Sequence, residues 1–139
     1  MRLEGVVTRR RFLLAAAGAG GVLLFERLRP WQGLVAREPM DPLGARLVGL
    51  LGDPESARTV GVEYVRAVPS EASVATLVDT VAARLPGGLR AIRAATDDEL
   101  RALLGARTRR DFADEDLIVL QGWVLSVTEA RLFALAALV

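Results

Sequence analysis

The sequence predicts a mainly α-helical domain of about five helices, with one short β-hairpin placed before the C-terminal helix. Three observations predict it. Apolar residues recur at helical spacing along most of the chain after residue 42. Helix start and stop residues separate these stretches at short intervals. Only one β-rich stretch stands out: Leu117 to Leu120 and Trp123 to Leu125, divided by a Gln121-Gly122 turn.

The chain has 139 residues. Residues 1–36 are read as an address and its flank, and residues 37–139 as one small helical domain, large enough for one modest core. Residues 26–42 read as a linker, because Pro30, Gly33, Pro39 and Pro42 interrupt regular structure. Trp31 within it suits either a membrane interface beside Arg27 and Arg29 or a loop folded back on the domain.

Leu43, Leu47, Leu50 and Leu51 make one apolar face, and Gly52 ends that helix. Asp53-Pro54-Glu55 is a helix start, with an N-cap, a first-position proline and an acid in the first turn. The second helix runs to about Val68. Ala57, Val60, Gly61, Tyr64 and Val68 share a face, and Gly61 marks a close backbone approach, since Gly in a helix costs about 1 kcal/mol against Ala. Tyr64 is expected at the core edge with a wet hydroxyl. Pro69 stops this helix and Ser70 is expected to cap the next, whose stripe is Val74, Leu77, Val78, Val81 and Leu85.

Pro86-Gly87-Gly88 leads to a short helical piece over residues 89–95. Thr96 and Glu99 then form a capping box, and Leu100, Leu103 and Leu104 face inward from the helix behind it. Arg107, Arg109 and Arg110 lie near its C-terminal end, as a solvated face or as an anion site. Residues 111–116 read as an acidic loop that lacks the order of an EF-hand. Ser126 and Glu129 form a second capping box, opening a last helix to about Leu138. From Leu132 to Val139 that helix is apolar all round, so it is either central or covered by another chain.

Composition narrows the chemistry. The chain has no His, no Cys and no Lys; all eighteen basic residues are Arg. Ser–His–Asp, Cys–His and Schiff-base arrangements cannot be built, and the usual transition-metal ligands are missing. Independent catalysis is therefore disfavoured, and neither a metal site nor a bound cofactor is expected. A carboxylate enzyme using Asp111, Asp114, Glu115, Asp116 and Glu129 is the least favoured alternative. Residues 37–139 carry twelve Arg against fifteen acids, a net −3, which argues against nucleic acid.

The N-terminal 36 residues carry six Arg against Glu4 and Glu26, a net +4. Arg2 and Arg9 to Arg11 precede an apolar run from Phe12 to Phe25. Thr8, Arg9, Arg10, Phe12 and Leu13 match the pattern Ser/Thr-Arg-Arg-x-Phe-Leu-Lys, with Leu14 where Lys is common. The segment thus resembles the twin-arginine signal family. That resemblance implies recognition by the twin-arginine translocase, folding before export, and a periplasmic or other extracytoplasmic location. No clean Ala-x-Ala site follows; Ala36 is the nearest small residue, with Leu34 poorly suited before it. An uncleaved segment would tether the domain to the inner membrane through residues 12–25, although this run falls short of the roughly 20 residues of a full span.

The whole is similar in plan to small accessory subunits of periplasmic dehydrogenases, in size, signal and helical content. The resemblance carries no domain motif. It implies a non-catalytic subunit that escorts or stabilises a larger cofactor-bearing partner. The alternative is an independent periplasmic or membrane-tethered helical domain that binds a ligand or peptide. The expected partner surface is the hairpin and last helix, with Trp123, Leu125, Leu132 and Phe133 as its residues. Trp123 suits core anchoring as well.

Overall fold

The computed structural model describes residues 41–139. The twin-arginine residues Arg9, Arg10, Phe12 and Leu13, the run 12–25, Trp31 and the cleavage region lie outside the described residues.

Six α-helices and one hairpin make up the described chain: α1 (Pro42–Gly49), α2 (Pro54–Ala67), α3 (Val74–Ala83), α4 (Gly88–Ala94), α5 (Asp97–Ala113), β1 (Leu117–Leu120), β2 (Trp123–Ser126) and α6 (Val127–Leu138). A 3-10 turn, Pro69–Glu71, sits between α2 and α3. The mainly helical class and the hairpin before the last helix agree with the sequence reading.

Local boundaries follow from caps. Pro42 begins a helix instead of breaking one: the Asp41 side chain accepts from the Leu43 and Gly44 amides, 2.8 Å each, and proline fits the first helical position. Asp53 does the same for α2, accepting from the Ser56 amide at 3.1 Å. Ser70 does not cap α3. It lies within the 3-10 turn that Pro69 starts, and Ser73 is the N-cap, accepting from the Thr76 amide at 3.2 Å. Both capping boxes form: the Thr96 and Ser126 hydroxyls accept from the Glu99 and Glu129 amides, and the Glu side chains accept in return from the Thr96 and Ser126 amides.

α6 is the central element. It packs on α1, α2, α3, α5 and both strands. Only Glu129 and Phe133, one helical stripe, are partly open; every other residue from Val127 to Leu138 is buried. This is why the helix can be apolar all round, and the chain itself supplies the cover. Fully burying a side chain such as Leu135 contributes about 1.5–3 kcal/mol. The closest contact is with α2. A Cβ at Gly61 would stand 1.8 Å from the Phe133 carbonyl oxygen, so only glycine lets the two backbones meet. Gly44 likewise sits against Val74 and Val139, bringing α1 to the C-terminal end of α6.

The strands pair antiparallel, Leu117 with Ser126 through Leu120 with Trp123. Gln121 and Gly122 both have positive φ, 53° and 80°, which suits a two-residue turn of the primed type. Ile118, Leu120 and Leu125 join the core, whereas Leu117 and Val119 on the alternate face do not.

Candidate functional site

Two kinds of feature could carry function: ion clusters within the fold, and the residues left at its surface. The first cluster is built on Arg131, a charged residue within the apolar α6. Its guanidinium donates from Nε and Nη2 to the two carboxylate oxygens of Glu71, at 2.8 Å each. The Tyr64 hydroxyl donates to the same carboxylate at 2.7 Å. All three residues are buried. The fork-on-carboxylate geometry is the strong form of this pair. It fixes the 3-10 turn and α2 against the central helix.

Tyr64 therefore does not sit at a wet edge. Burial, and the hydrogen bond to the Glu71 carboxylate, push its hydroxyl well above the ordinary tyrosine value. Burial alone would raise Glu71. The hydrogen bonds from Arg131 and Tyr64, with the charges of Arg131 and Arg84, outweigh it and hold the carboxyl below its usual range.

The second cluster is built on Asp111. The sequence places this residue in an acidic loop, but α5 runs on to Ala113 and carries Asp111 into the interior, 0% exposed. Its Oδ1 accepts from Arg84 Nη2 at 2.6 Å and from Arg107 Nε at 2.7 Å. Its Oδ2 accepts from the Thr128 amide at 3.0 Å, in the first turn of α6, where the helix dipole favours a negative charge. Arg84 Nη2 also donates to Asp116 at 2.6 Å. Burial would raise the Asp111 carboxyl; hydrogen bonds from Thr128, Arg107 and Arg84 outweigh it and hold it low. Arg107 is thus a structural partner. Arg110 lies near Asp114, Nε to Oδ2 at 3.4 Å.

These contacts decide the fate of the carboxylates that acid–base chemistry would need. Asp111 and Asp116 meet Arg84, Asp114 meets Arg110, and Glu129 closes a capping box. Among the described residues, no group of His, Cys, Asp and Glu is arranged to hold a metal ion.

The expected partner residues separate. Trp123 stands at the hairpin tip, 66% exposed, and is no core anchor. Phe133 is partly exposed on α6. Leu132 is 6% exposed, and Leu125 packs on the core from the inner face of β2. The last helix therefore offers a partner only the Glu129–Phe133 stripe, because the remainder is the core of this chain. Phe112, 43% exposed near the end of α5, is a further outward aromatic that the sequence reading did not single out. Its signal was available: at 3.6 residues per turn, Phe112 lies roughly a quarter turn round α5 from the inward Leu100, Leu104 and Asp111. The Glu71–Arg131 pair was missed as well. Arg131, a basic residue directly before the apolar run from Leu132, was the clue to it.

No family model matches the chain, and neither curated proteins nor solved structures show a match to it. No helix of the described residues is long and apolar enough to cross a membrane.

Proposed function

We propose that this chain is a non-catalytic accessory subunit, exported by the twin-arginine route, which escorts or stabilises an oxidoreductase partner outside the cytoplasm. The observation that carries the reading is the motif Thr8-Arg9-Arg10-Arg11-Phe12-Leu13 ahead of a domain whose interior charges are engaged with one another. A signal of this kind serves proteins that fold before export, commonly because they hold a cofactor. The cofactor then belongs to the partner, and one signal serves both chains.

Surface features support a docking role. Trp123 is a large, rigid aromatic held out on a two-residue turn, the residue type enriched at binding hot spots. Phe133 offers a second, partly open aromatic on α6.

The test is made in the native host, with the tagged full chain and an Arg9→Lys/Arg10→Lys variant. In wild type, the chain and a flavin- or quinone-bearing protein are expected together outside the cytoplasm. In the variant both are expected to stay inside. Export of the cofactor-bearing protein without this chain's signal would contradict the reading.

A further inference from the structure

The hairpin that carries Trp123 is tied down at its base, and one buried residue reaches both of its ends. At the entry, α5 gives way to β1 through Glu115, whose φ is 58°. That left-handed conformation is costly for a residue with a side chain, and it persists where neighbouring structure holds it. Here the Asp116 amide donates to the Asp111 carbonyl at 2.8 Å and the Glu115 amide to the Phe112 carbonyl at 3.4 Å, the paired bonds of a Schellman turn. At the exit, β2 runs directly into α6, and the Thr128 amide donates to Asp111 Oδ2 at 3.0 Å. The Val127 amide donates to the Asp116 carbonyl at 3.1 Å and joins exit to entry. Arg84, just past the end of α3, donates to Asp111 and to Asp116, so the side chain at the entry is held by the same cluster.

Apolar contact grips the hairpin unevenly. Ile118 and Leu120 are buried, whereas Trp123 is 66% exposed. Trp123 pairs with Leu120, so both side chains leave the same face of the sheet. The indole therefore stands at the rim of the core, and the pose of the hairpin sets its direction.

We infer that Asp111 is the positioning residue of the hairpin: its carbonyl and its carboxylate fix entry and exit together, and so set where Trp123 stands. The inference deepens the docking role proposed for Trp123, but it concerns the free chain and is tested without a partner. With the lock removed, the hairpin should open apart from the helical core, since locally held units open with free energies of their own.

Native-state amide hydrogen exchange of the full chain tests it, in wild type, Asp111→Asn, Asp116→Ala and Ser73→Ala. Asn has one acceptor oxygen where the Asp111 carboxylate uses two, so it loses part of the lock. Asp116→Ala leaves Asp111 in place, and keeps the test decisive should Asp111→Asn not fold. Ser73→Ala removes the N-cap at the other end of α3 from Arg84, and lowers stability without touching the lock. In both Asp variants, exchange of the β1 and β2 amides relative to those of α2 and α6 should rise about tenfold or more. In Ser73→Ala that ratio should keep its wild-type value. Equal acceleration of strand and helix amides in Asp116→Ala would overturn the inference. So would a Ser73→Ala variant that raises the ratio as much. Selective opening of the hairpin, with no partner captured by wild type, would contradict the docking role alone.

Discussion

Glu71 and Arg131 are the residues on which the interior depends most sharply. Truncating one partner of a buried pair strands the other charge, so Arg131→Met should cost about 3–5 kcal/mol, read by urea unfolding. Replacing both partners by apolar residues of similar volume should cost far less, because no charge is then stranded. The pair also sets a pH dependence. Glu71 and Asp111 are both depressed in the fold, so their stabilisation is complete above the ordinary values of 4.5 and 3.8 and is lost as pH falls below them toward the folded values. Glu71→Gln removes one of the groups that take up a proton on unfolding, so its stability should fall less steeply with pH in acid than that of the wild type, read by urea unfolding at a series of pH values. Tyr64 has the opposite sign. It is raised, so its contribution is intact below the ordinary 10.0 and is lost only as pH rises past it. As the only tyrosine of the chain, it should show tyrosinate absorbance at high pH only together with unfolding. None of these roles could be read from spacing alone. Glu71 and Arg131 lie 60 positions apart, and only the packing of α2 on α6 brings them together.

At the scale of elements, the α2–α6 contact is the tightest. Gly61→Ala must push Phe133 and Ala134 backbone atoms away from a Cβ 1.8–2.9 Å distant, and should cost about 1–3 kcal/mol in thermal or urea unfolding. Here the sequence was informative: a glycine within a helical face had no local reason to be there. The two capping boxes were legible for the same reason, since a cap acts over three residues. Ser126→Ala should cost about 0.5–2 kcal/mol by the same measurement. What failed was choosing between signals of equal local merit. Ser70 and Ser73 are both good caps, and the choice fell to Ser73 because Pro69 initiates a 3-10 turn that uses Ser70 internally. Asp111 looked like loop because four acids fall in six residues; the helix continues because Arg84, Arg107 and the α6 amide receive its charge.

For the whole molecule, the fold class was legible because helical periodicity, caps and a single β-rich stretch agreed with one another. The surface was legible only in part. A Trp in a hairpin suits the core or a partner equally, and the register that places Trp123 beside the turn decides its exposure. The described domain folds around one helix that it covers itself, and it sets an aromatic outward at the hairpin tip. That arrangement suits a self-contained subunit that adds a contact to a larger protein. The most direct test is affinity purification of the tagged full chain from the native extracytoplasmic fraction, with wild type and Trp123→Ala side by side. The account predicts a stoichiometric cofactor-bearing partner with wild type, lost in the variant while the fold is retained. A monomer alone from both, with circular dichroism unchanged, would contradict it.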